Sequence, residues 1–536
     1  MELSVVPSLK RPRVVVIVAL VFIGLVLIRQ FFSCDFTDEA LHLAMSYRFA
    51  LGDTPFKDEY MSIQSAALLT LPIVRGFVHF NSGTEGIVLF SRLCFFLFSL
   101  STTLAIYISL RRRVEDSLAL MASLVSLAYV HYNIPNFFYN SISMHCLAAG
   151  LFLGTDERRW PQFAAGSFLA TAAIAYPTLP IAIAVYVFLN PTVRTKQALF
   201  GASLIVFAML PSLIGTSTQR LIEIIQYTSS DQDKLGGWHK WVVIARQITG
   251  EWWAPSYTTA ILSIFWAGLR WSPTVWALIP ILLIFKTPSH SFMRSGQEIF
   301  WFAILAPLFL PWKNRWWMAI AVASLVAGLT TAWTSSQTLY SAPLGLLPLA
   351  VLTVAYLTRS TCRLSWLPAA AAIFALVVAL YQSSYRDRPL PLLTARLDRG
   401  PYKGIWTTAK RKAHYDGLLD EIRSLENDQG RIIFYDCFPG GYLMTKMKPA
   451  THSVWMLRNP GTRSLFTREY SASKSPHDIA VRIDSSFDGS EGFTTAAPDP
   501  FDEMITRDLD TVVQTESHRI SVGRLPEEDT QLAQNL

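Results

Sequence analysis

Acidic side chains are concentrated in a short stretch that follows the first long apolar run of the chain. The stretch contains Asp35, Asp38, Glu39, Asp53, Asp58 and Glu59 within residues 34–60. A carboxylate at the mouth of a membrane can take a proton from a hydroxyl group as that hydroxyl attacks an activated sugar. We therefore predict that Asp38 is a general base for transfer of a glycosyl group.

A purely structural interpretation of the same residues is also open. Thr37 is a natural N-cap, and Asp38 and Glu39 fall in the first turn of the predicted helix, where negative charge complements the helix dipole. His42 lies one helical turn after Asp38 on the same face, where it could bind or orient a substrate. A histidine at an interface can equally be a structural residue.

The composition places most of the chain in lipid. Of 536 residues, 51% are hydrophobic and 16% are charged, whereas soluble globular proteins carry about a quarter charged residues. Thirteen apolar runs are candidates for membrane-spanning helices. They are residues 14–32, 87–110, 118–132, 142–153, 163–176, 179–189, 198–213, 257–269, 274–285, 299–311, 316–332, 339–357 and 364–381. The sequence thus predicts a polytopic α-helical membrane domain over 1–381 and a small α/β domain over 382–536.

Short basic clusters between the apolar runs predict the orientation. Residues 10–13 keep the N-terminus in the cytoplasm, so the loop 33–86 and the C-terminal domain lie outside, while Arg111, Arg112 and Arg113 lie inside. Residues 61–80 are predicted to form a helix on the outer surface, although a true span is the alternative. The absence of glycosylation sequons favours a bacterial inner membrane. Topology signals also explain the net charge of +7, so no nucleic acid partner is expected.

Several outer residues could hold the phosphate of a lipid-linked donor. Such a leaving group needs arginine, lysine or a divalent cation, and we favour Lys57 and Arg246. Their alternative role is to reach toward anionic headgroups. The Trp-rich segment 215–254 could cover a site that opens to the bilayer, and the polar aromatic connection 129–140 could stack on sugars. An aromatic belt explains both segments about equally well.

The C-terminal domain carries ordinary soluble signals. A helix is predicted over 407–425, strands over 431–436, 479–483 and 519–522, and a disordered tail after Pro526. The turn Phe438-Pro439-Gly440-Gly441-Tyr442 could be a backbone-lined binding turn, but the chain has no nucleotide-binding motif there. A polyprenyl-phosphate sugar is therefore the expected donor.

The arrangement of these motifs resembles the GT-C superfamily of integral membrane glycosyltransferases. The resemblance rests on the Asp38-Glu39 pair after the first span, the turn from Gly52 to Asp58, an amphipathic helix, and Ser91-Arg92-Leu93 at the next span. It is similar in pattern to the bacterial aminoarabinose transferases, protein O-mannosyltransferases and lipopolysaccharide-sugar transferases. The sequence departs from many relatives after Asp58, where Glu59-Tyr60-Met61 replaces a Pro- or Gly-rich turn.

The resemblance implies specific site residues and partners. Asp38, Glu39 and Asp58 would be catalytic, and Asp38 and Asp58 would hold a divalent cation such as Mg²⁺ or Mn²⁺. His42, Lys57, Arg92 and Arg246 are the substrate-binding candidates. The donor would be a polyprenyl-phosphate-linked sugar, and the acceptor a lipid, a glycan or a protein. A transporter or flippase of lipid-linked glycans, or a scaffold that recruits envelope partners, remains an alternative. Transporters usually place ionisable residues near the membrane midplane, whereas here the acids lie in the first outer loop.

Overall fold

The structure is a computed structural model of the chain. It describes residues 12–193, 195–230, 238–247, 296, 299–300, 302–303, 306, 310, 313–335, 337–357, 367–382, 384–427, 430–435, 437–456, 460–483, 499–515 and 518–523. The predicted spans 257–269 and 274–285, most of the span 299–311, and the predicted disordered tail lie outside the described residues.

Helices dominate the described part of the chain as far as residue 382. They are α1 (Pro12–Arg29), α2 (Asp38–Ala50), α3 (Gln64–Asn81), α4 (Ile87–Leu110), α5 (Asp116–Ala128), α6 (Tyr139–Leu153), α7 (Arg159–Ala175), α8 (Pro180–Leu189), α9 (Lys196–Met209), α10 (Thr218–Ser230), α11 (Trp238–Arg246), α12 (Arg315–Thr334), α13 (Ala342–Leu357) and α14 (Leu367–Gln382).

The surface of several helices is apolar where a soluble protein would be polar. Leu97 on α4 is 59% exposed and Phe207 on α9 is 65% exposed. The side chains of Ile17 and Leu20 on α1 are exposed to a similar extent. Contiguous apolar surface of this kind is costly in water and indicates contact with lipid. Four helical segments are both long and apolar enough to cross a bilayer, namely Ile87–Leu110, Lys196–Leu213, Arg315–Thr334 and Thr338–Tyr356. A membrane location follows, while the count of thirteen spans stays a prediction.

The segment predicted to lie on the outer surface forms the helix α3. It contains Pro72 and buries Ala66, Ala67 and Val74. It is not among the four long apolar segments found in the described residues. The helix itself is confirmed, and its depth in the bilayer stays a prediction.

A mixed sheet with flanking helices forms the C-terminal part of the chain from residue 384 onward, called the sheet region below. Its elements are β1 (Ala395–Arg396), β2 (Trp406–Thr407), α15 (Ala409–Leu425), β3 (Arg431–Tyr435), β4 (Lys448–Pro449), α16 (Pro460–Ser473), β5 (Ile479–Ile483), α17 (Pro500–Asp508), β6 (Leu509–Gln514) and β7 (His518–Gly523). The order in the larger sheet is β4-β3-β5-β7-β6. Strand β3 is parallel to β4 and β5, and β7 is antiparallel to β5 and β6.

The predicted helix and three predicted strands of the sheet region are confirmed as α15, β3, β5 and β7. The strand β4 has only two residues, which is too short to give an alternating pattern. The strand β6 lies at the edge of the sheet and is mostly exposed. The apolar residues of β6, Leu509, Val512 and Val513, do not alternate with polar ones, and alternation is the signal by which half-buried strands are recognised, so neither strand was predicted.

Backbone hydrogen bonds fix the loop between α1 and α2 against the sheet region. Ser33 N donates to Trp406 O over 2.8 Å, and Gly440 N donates to Phe36 O over 2.9 Å. A Cβ atom on Gly440 would lie 2.9 Å from Phe36 O, and one on Gly441 would lie 2.3 Å from the Phe434 ring. These glycines therefore serve close packing and the turn holds the first loop in place, while a role of this turn in ligand binding stays a prediction.

Candidate active site

The N-terminus of α2 is capped by Asp35, which is almost fully buried. Its Oδ1 accepts hydrogen bonds from Thr37 N at 3.1 Å and Thr37 Oγ1 at 2.6 Å, and its Oδ2 accepts from Glu39 N at 2.8 Å. Thr37 occupies the predicted N-cap position, but its own side chain makes no capping bond. The buried Asp35 carboxylate therefore sets the direction in which the first turn of α2 presents Asp38.

Asp38 stands in that first turn with 22% of its side chain exposed. Its Oδ2 accepts a hydrogen bond from the Tyr385 hydroxyl and lies 3.7 Å from Arg386 Nη2. Burial, followed by the charge of Asp38, raises the pKa of Tyr385 well above its usual value. Tyr385 thus stays protonated and can donate to the carboxylate. Asp38 is held by two partners and remains open to a ligand.

Glu39 turns the other way, into a buried ion pair with Arg92 of α4. Arg92 Nε lies 2.5 Å from Glu39 Oε1, and Arg92 Nη2 lies 2.7 Å from Oε2. The remaining donor capacity of Arg92 goes to the carbonyls of Gln30, Phe32 and Ser33. This differs from the expectation that Glu39 and Arg92 meet the substrate, because both side chains are buried and occupied by each other. They position the start of α2.

His42 is completely buried on the inner side of α2. Its ring lies 5.2 Å from the Phe138 ring and 5.4 Å from the Tyr139 ring, centroid to centroid. Burial lowers the pKa of His42 to about 3, so the imidazole is neutral at physiological pH. Among the described residues, neither ring nitrogen has a hydrogen-bond partner of good geometry. The structure places His42 in the packing between α2 and α6, and a direct contact with substrate stays a prediction.

Strained backbone occurs in the polar connection between α5 and α6. Tyr132 and Asn133 are successive non-glycine residues with φ values of 54° and 57°. Such left-handed conformations cost energy and persist where surrounding contacts hold them. The Tyr132 hydroxyl lies 2.9 Å from Ser341 Oγ, and the Tyr139 ring stacks on Tyr176 at 5.5 Å. Tyr132 is therefore held by the turn before α13, and Tyr139 by Tyr176, which directly follows α7.

Asp58 is part of a separate local turn. Its Oδ2 accepts a hydrogen bond from Thr54 N at 2.7 Å, and the neighbouring Lys57 is exposed. No hydrogen bond or ion pair found among the described residues joins Asp58 to Asp38. The same part of the chain contains no group of three His, Cys, Asp or Glu residues that could hold a metal ion. Arg386 brings a positive charge next to Asp38, which disfavours a divalent cation there, so nothing among the described residues supports a cation held by Asp38 and Asp58.

Arg246, the second predicted phosphate ligand, is the last residue of α11 and is exposed. The nearby Lys240 is buried and donates to Trp333 O at 3.0 Å and Ser335 O at 3.1 Å, at the end of α12. The part of the Trp-rich segment that forms α11 therefore packs onto the end of α12. The tryptophans Trp252 and Trp253 of that segment lie outside the described residues.

Glu59 joins the first outer loop to the sheet region. Its Oε1 accepts from Met61 N at 2.9 Å and its Oε2 accepts from Val454 N at 3.1 Å, while Tyr60 N donates to His452 O at 2.8 Å. Only 3% of Glu59 is exposed, and this burial raises its pKa to about 7. Glu59, Tyr60 and Met61 therefore hold the first outer loop against the sheet region.

The raised pKa of Glu59 predicts a pH dependence of stability. The folded protein binds the Glu59 proton more tightly than the unfolded chain, so stability is full below the ordinary pKa of 4.5 and is lost as pH rises through about 7. Each unit of pKa difference is worth about 1.4 kcal/mol. We expect the denaturation midpoint to fall over this interval, and Glu59→Gln to flatten the fall.

The exposed Glu85→Gln is the matched control for that measurement, and it should keep the wild-type slope. Burial also raises the pKa of Asp35, to about 6, which leaves a smaller slope of the same sign below that pH. Differential scanning fluorimetry of the purified protein between pH 4.5 and 8 measures both effects. An unchanged slope in Glu59→Gln would contradict the assignment.

Two residues of the candidate site, Tyr385 and Arg386, were not predicted from the sequence. They follow α14, the last apolar helix, and reach Asp38 across 347 positions of the chain. One signal was available, because Arg386 and Arg388 are basic residues at the outer end of a predicted span. The positive-inside rule disfavours basic residues there, so their presence indicates a specific partner.

Comparison with known proteins gives limited information. The sequence matches no family model and no curated protein. The archaeal oligosaccharyltransferase AglB from Archaeoglobus fulgidus, in complex with an inhibitory peptide and a dolichol-phosphate, is similar with a TM-score of 0.45 at 12% identity, over 88% of this chain and 69% of that chain. The Archaeoglobus fulgidus oligosaccharyltransferase in complex with Zn and sulfate has the same TM-score and identity, over 88% and 68%. This likeness assigns no family, so we infer the function from the site.

Proposed function

We propose that the chain is a membrane glycosyltransferase that moves a sugar from a polyprenyl-phosphate donor to a hydroxyl-bearing lipid, glycan or protein outside the bacterial inner membrane. One observation carries this proposal. Asp38 is a partly exposed carboxylate, held by the Tyr385 hydroxyl and next to the Arg386 guanidinium, where the helical part of the chain meets the sheet region. A base and a phosphate-binding cation thus stand side by side.

The proposed reaction needs both groups. The ionised Asp38 takes the proton of the acceptor hydroxyl while the acceptor oxygen forms a bond to the anomeric carbon. The bond between that carbon and the phosphate oxygen breaks, and the polyprenyl phosphate leaves with the bonding electrons, so the configuration at the anomeric carbon is inverted. The Arg386 guanidinium stabilises the negative charge that grows on the phosphate.

The pairing of Asp38 with Arg386 suggests how the donor engages. A planar guanidinium presents several N–H groups in a fixed fork and binds phosphate in a bidentate manner. A 3.7 Å separation is longer than a good hydrogen bond, so the ion pair is loose in the structure described here. The donor phosphate can then bind the Arg386 guanidinium. Asp38 keeps its hydrogen bond from Tyr385 while it acts as the base.

Mass spectrometry of envelope lipids and glycans from cells with and without the gene tests the proposed function. A mass increment equal to one sugar residue should disappear with the gene and return with the wild-type gene. A flippase would give a different result, because lipid-linked sugar would accumulate unchanged on the cytoplasmic side. Unaltered lipids, glycans and glycoproteins would contradict both functions and favour the scaffold.

Arg386→Gln should lower transfer by about 10- to 100-fold, because a hydrogen bond to a charged group contributes about 1.5–3 kcal/mol. The loss should be greatest in the apparent affinity for the donor. Arg388→Gln is the matched control, since Arg388 is exposed two residues further along the chain, and it should stay close to wild type. Steady-state rates over a range of donor concentrations distinguish the two variants. Equal losses in both would remove the phosphate-binding role of Arg386.

A further inference from the structure

The helix α10 presents three faces that differ in chemistry. One face is buried against the first outer loop and α16 through Ile224 and Tyr227. A second face exposes the apolar side chains of Leu221, Ile222 and Ile225, the last of them 66% exposed. A third is polar and includes Gln219, whose side chain donates to Glu223 Oε1 over 3.2 Å. A helix lying at a boundary between protein, lipid and water needs these three faces.

Contacts on the buried face fix the helix in its orientation. The Tyr227 hydroxyl donates to Trp455 O at 2.7 Å, and the Tyr227 ring stacks on Tyr60 at 6.1 Å between centroids. The Arg220 guanidinium lies 4.7 Å from the centre of the same Tyr60 ring, which is within the range of a cation–π interaction. Rotation of α10 that would bury the apolar face would break these contacts, so its exposure is built into the fold.

The exposed face continues a surface that already meets lipid. The segment Lys196–Leu213 is apolar and long enough to cross a bilayer, and its side chains are largely exposed. Leu213 ends the short 3-10 turn Leu210–Leu213 that follows α9, and Leu213 and Ile214 are 46% and 77% exposed. The chain then turns at Gly215, whose φ is 83°, and enters α10. The uncharged residues Gly215 to Gln219 connect this exposed apolar segment to α10, so the two apolar surfaces are neighbours along the chain and no charged side chain separates them before Arg220.

We propose that α10 is an interfacial helix whose Leu221, Ile222 and Ile225 side chains bind the phospholipid leaflet next to the sheet region. The helix anchors both Tyr60 of the first outer loop and Trp455 of the sheet region to the membrane surface. The occupant of this face is phospholipid, since the chain leads onto it within a few uncharged residues from the exposed apolar surface of the segment Lys196–Leu213. This inference rests on the contacts and exposure of α10 and does not depend on the transfer reaction.

Photo-cross-linking from single positions tests this contact. The full-length protein carries p-benzoylphenylalanine at Ile225, at Ile222 or, as the matched control on the polar face of the same helix, at Gln219. Each variant is reconstituted into phosphatidylethanolamine and phosphatidylglycerol vesicles with radiolabelled acyl chains and is irradiated. All three side chains are exposed on α10, so the variants should fold alike.

We expect labelling by lipid to be at least about fivefold higher from Ile225 and Ile222 than from Gln219, because an in-plane helix buries only its apolar face in the acyl region. Equal labelling at the three positions would overturn the proposal. A cross-link from Ile225 to the chain itself or to a second copy, in place of lipid, would also overturn it. The labelling measurement needs no sugar donor, so its result is independent of the proposed function.

Discussion

Asp38→Asn should lower the rate of sugar transfer by about 10²- to 10⁴-fold, the range that a general base contributes, with the abundance of the protein unchanged. The amide cannot take the proton of the acceptor hydroxyl, but its carbonyl oxygen can still accept the hydrogen bond from Tyr385. The charge that loses a partner is that of Arg386, and because the Arg386 side chain is 20% exposed, the substitution leaves no fully buried charge unpaired. Transfer from a polyprenyl-phosphate sugar to an acceptor identified by mass spectrometry measures the loss.

Asp58→Asn provides a matched control within the same outer loop. Asp58 Oδ2 accepts from Thr54 N, and an asparagine oxygen can accept the same bond, so transfer should stay close to wild type. Full activity in Asp38→Asn would remove Asp38 from catalysis. A large loss in Asp58→Asn as well would contradict this expectation and give Asp58 a role in the reaction.

Local features of the candidate site could be predicted from the sequence. The apolar run of α1, the polar residues after it and the acids of the first turn of α2 are all signals that act within a few residues. They place Asp38 at the start of a helix that follows an apolar helix, as the structure does. The strands β3, β5 and β7 were likewise recognised from short apolar runs bounded by polar residues.

The partners of those residues could not be predicted, because they come from distant parts of the chain. Asp38 meets Tyr385 across 347 positions, and Glu39 meets Arg92 across 53. Sequence spacing carries no information about such pairs, so Glu39 and Asp38 looked equivalent although one is buried and the other partly exposed. The capping bonds of Asp35 show the same limit on a shorter scale, since Thr37 occupies the N-cap position but Asp35, two residues earlier, accepts the capping bonds.

The buried pair of Glu39 and Arg92 should be the most sensitive point for stability. Removing one partner of a buried ion pair costs about 3–5 kcal/mol, because the other charge remains buried without compensation. In Arg92→Met, the Glu39 carboxylate loses both of its contacts with the guanidinium, and the carbonyls of Gln30, Phe32 and Ser33 lose a donor. We expect a loss of unfolding free energy of that size, measured by denaturant titration in mixed micelles.

Two further variants separate the ion pair from simple loss of an arginine. Arg75→Met removes an exposed arginine from α3 and should change the unfolding free energy by less than about 0.5 kcal/mol. The double variant Glu39→Gln with Arg92→Met removes both charges and should recover part of the loss, because replacing a whole buried pair is far less costly than breaking it. A double variant as unstable as Arg92→Met would show that the carbonyl contacts of Arg92 dominate. If the double variant regains stability but still transfers sugar slowly, the pair also acts by orienting Asp38, the residue directly before Glu39 in the same helical turn.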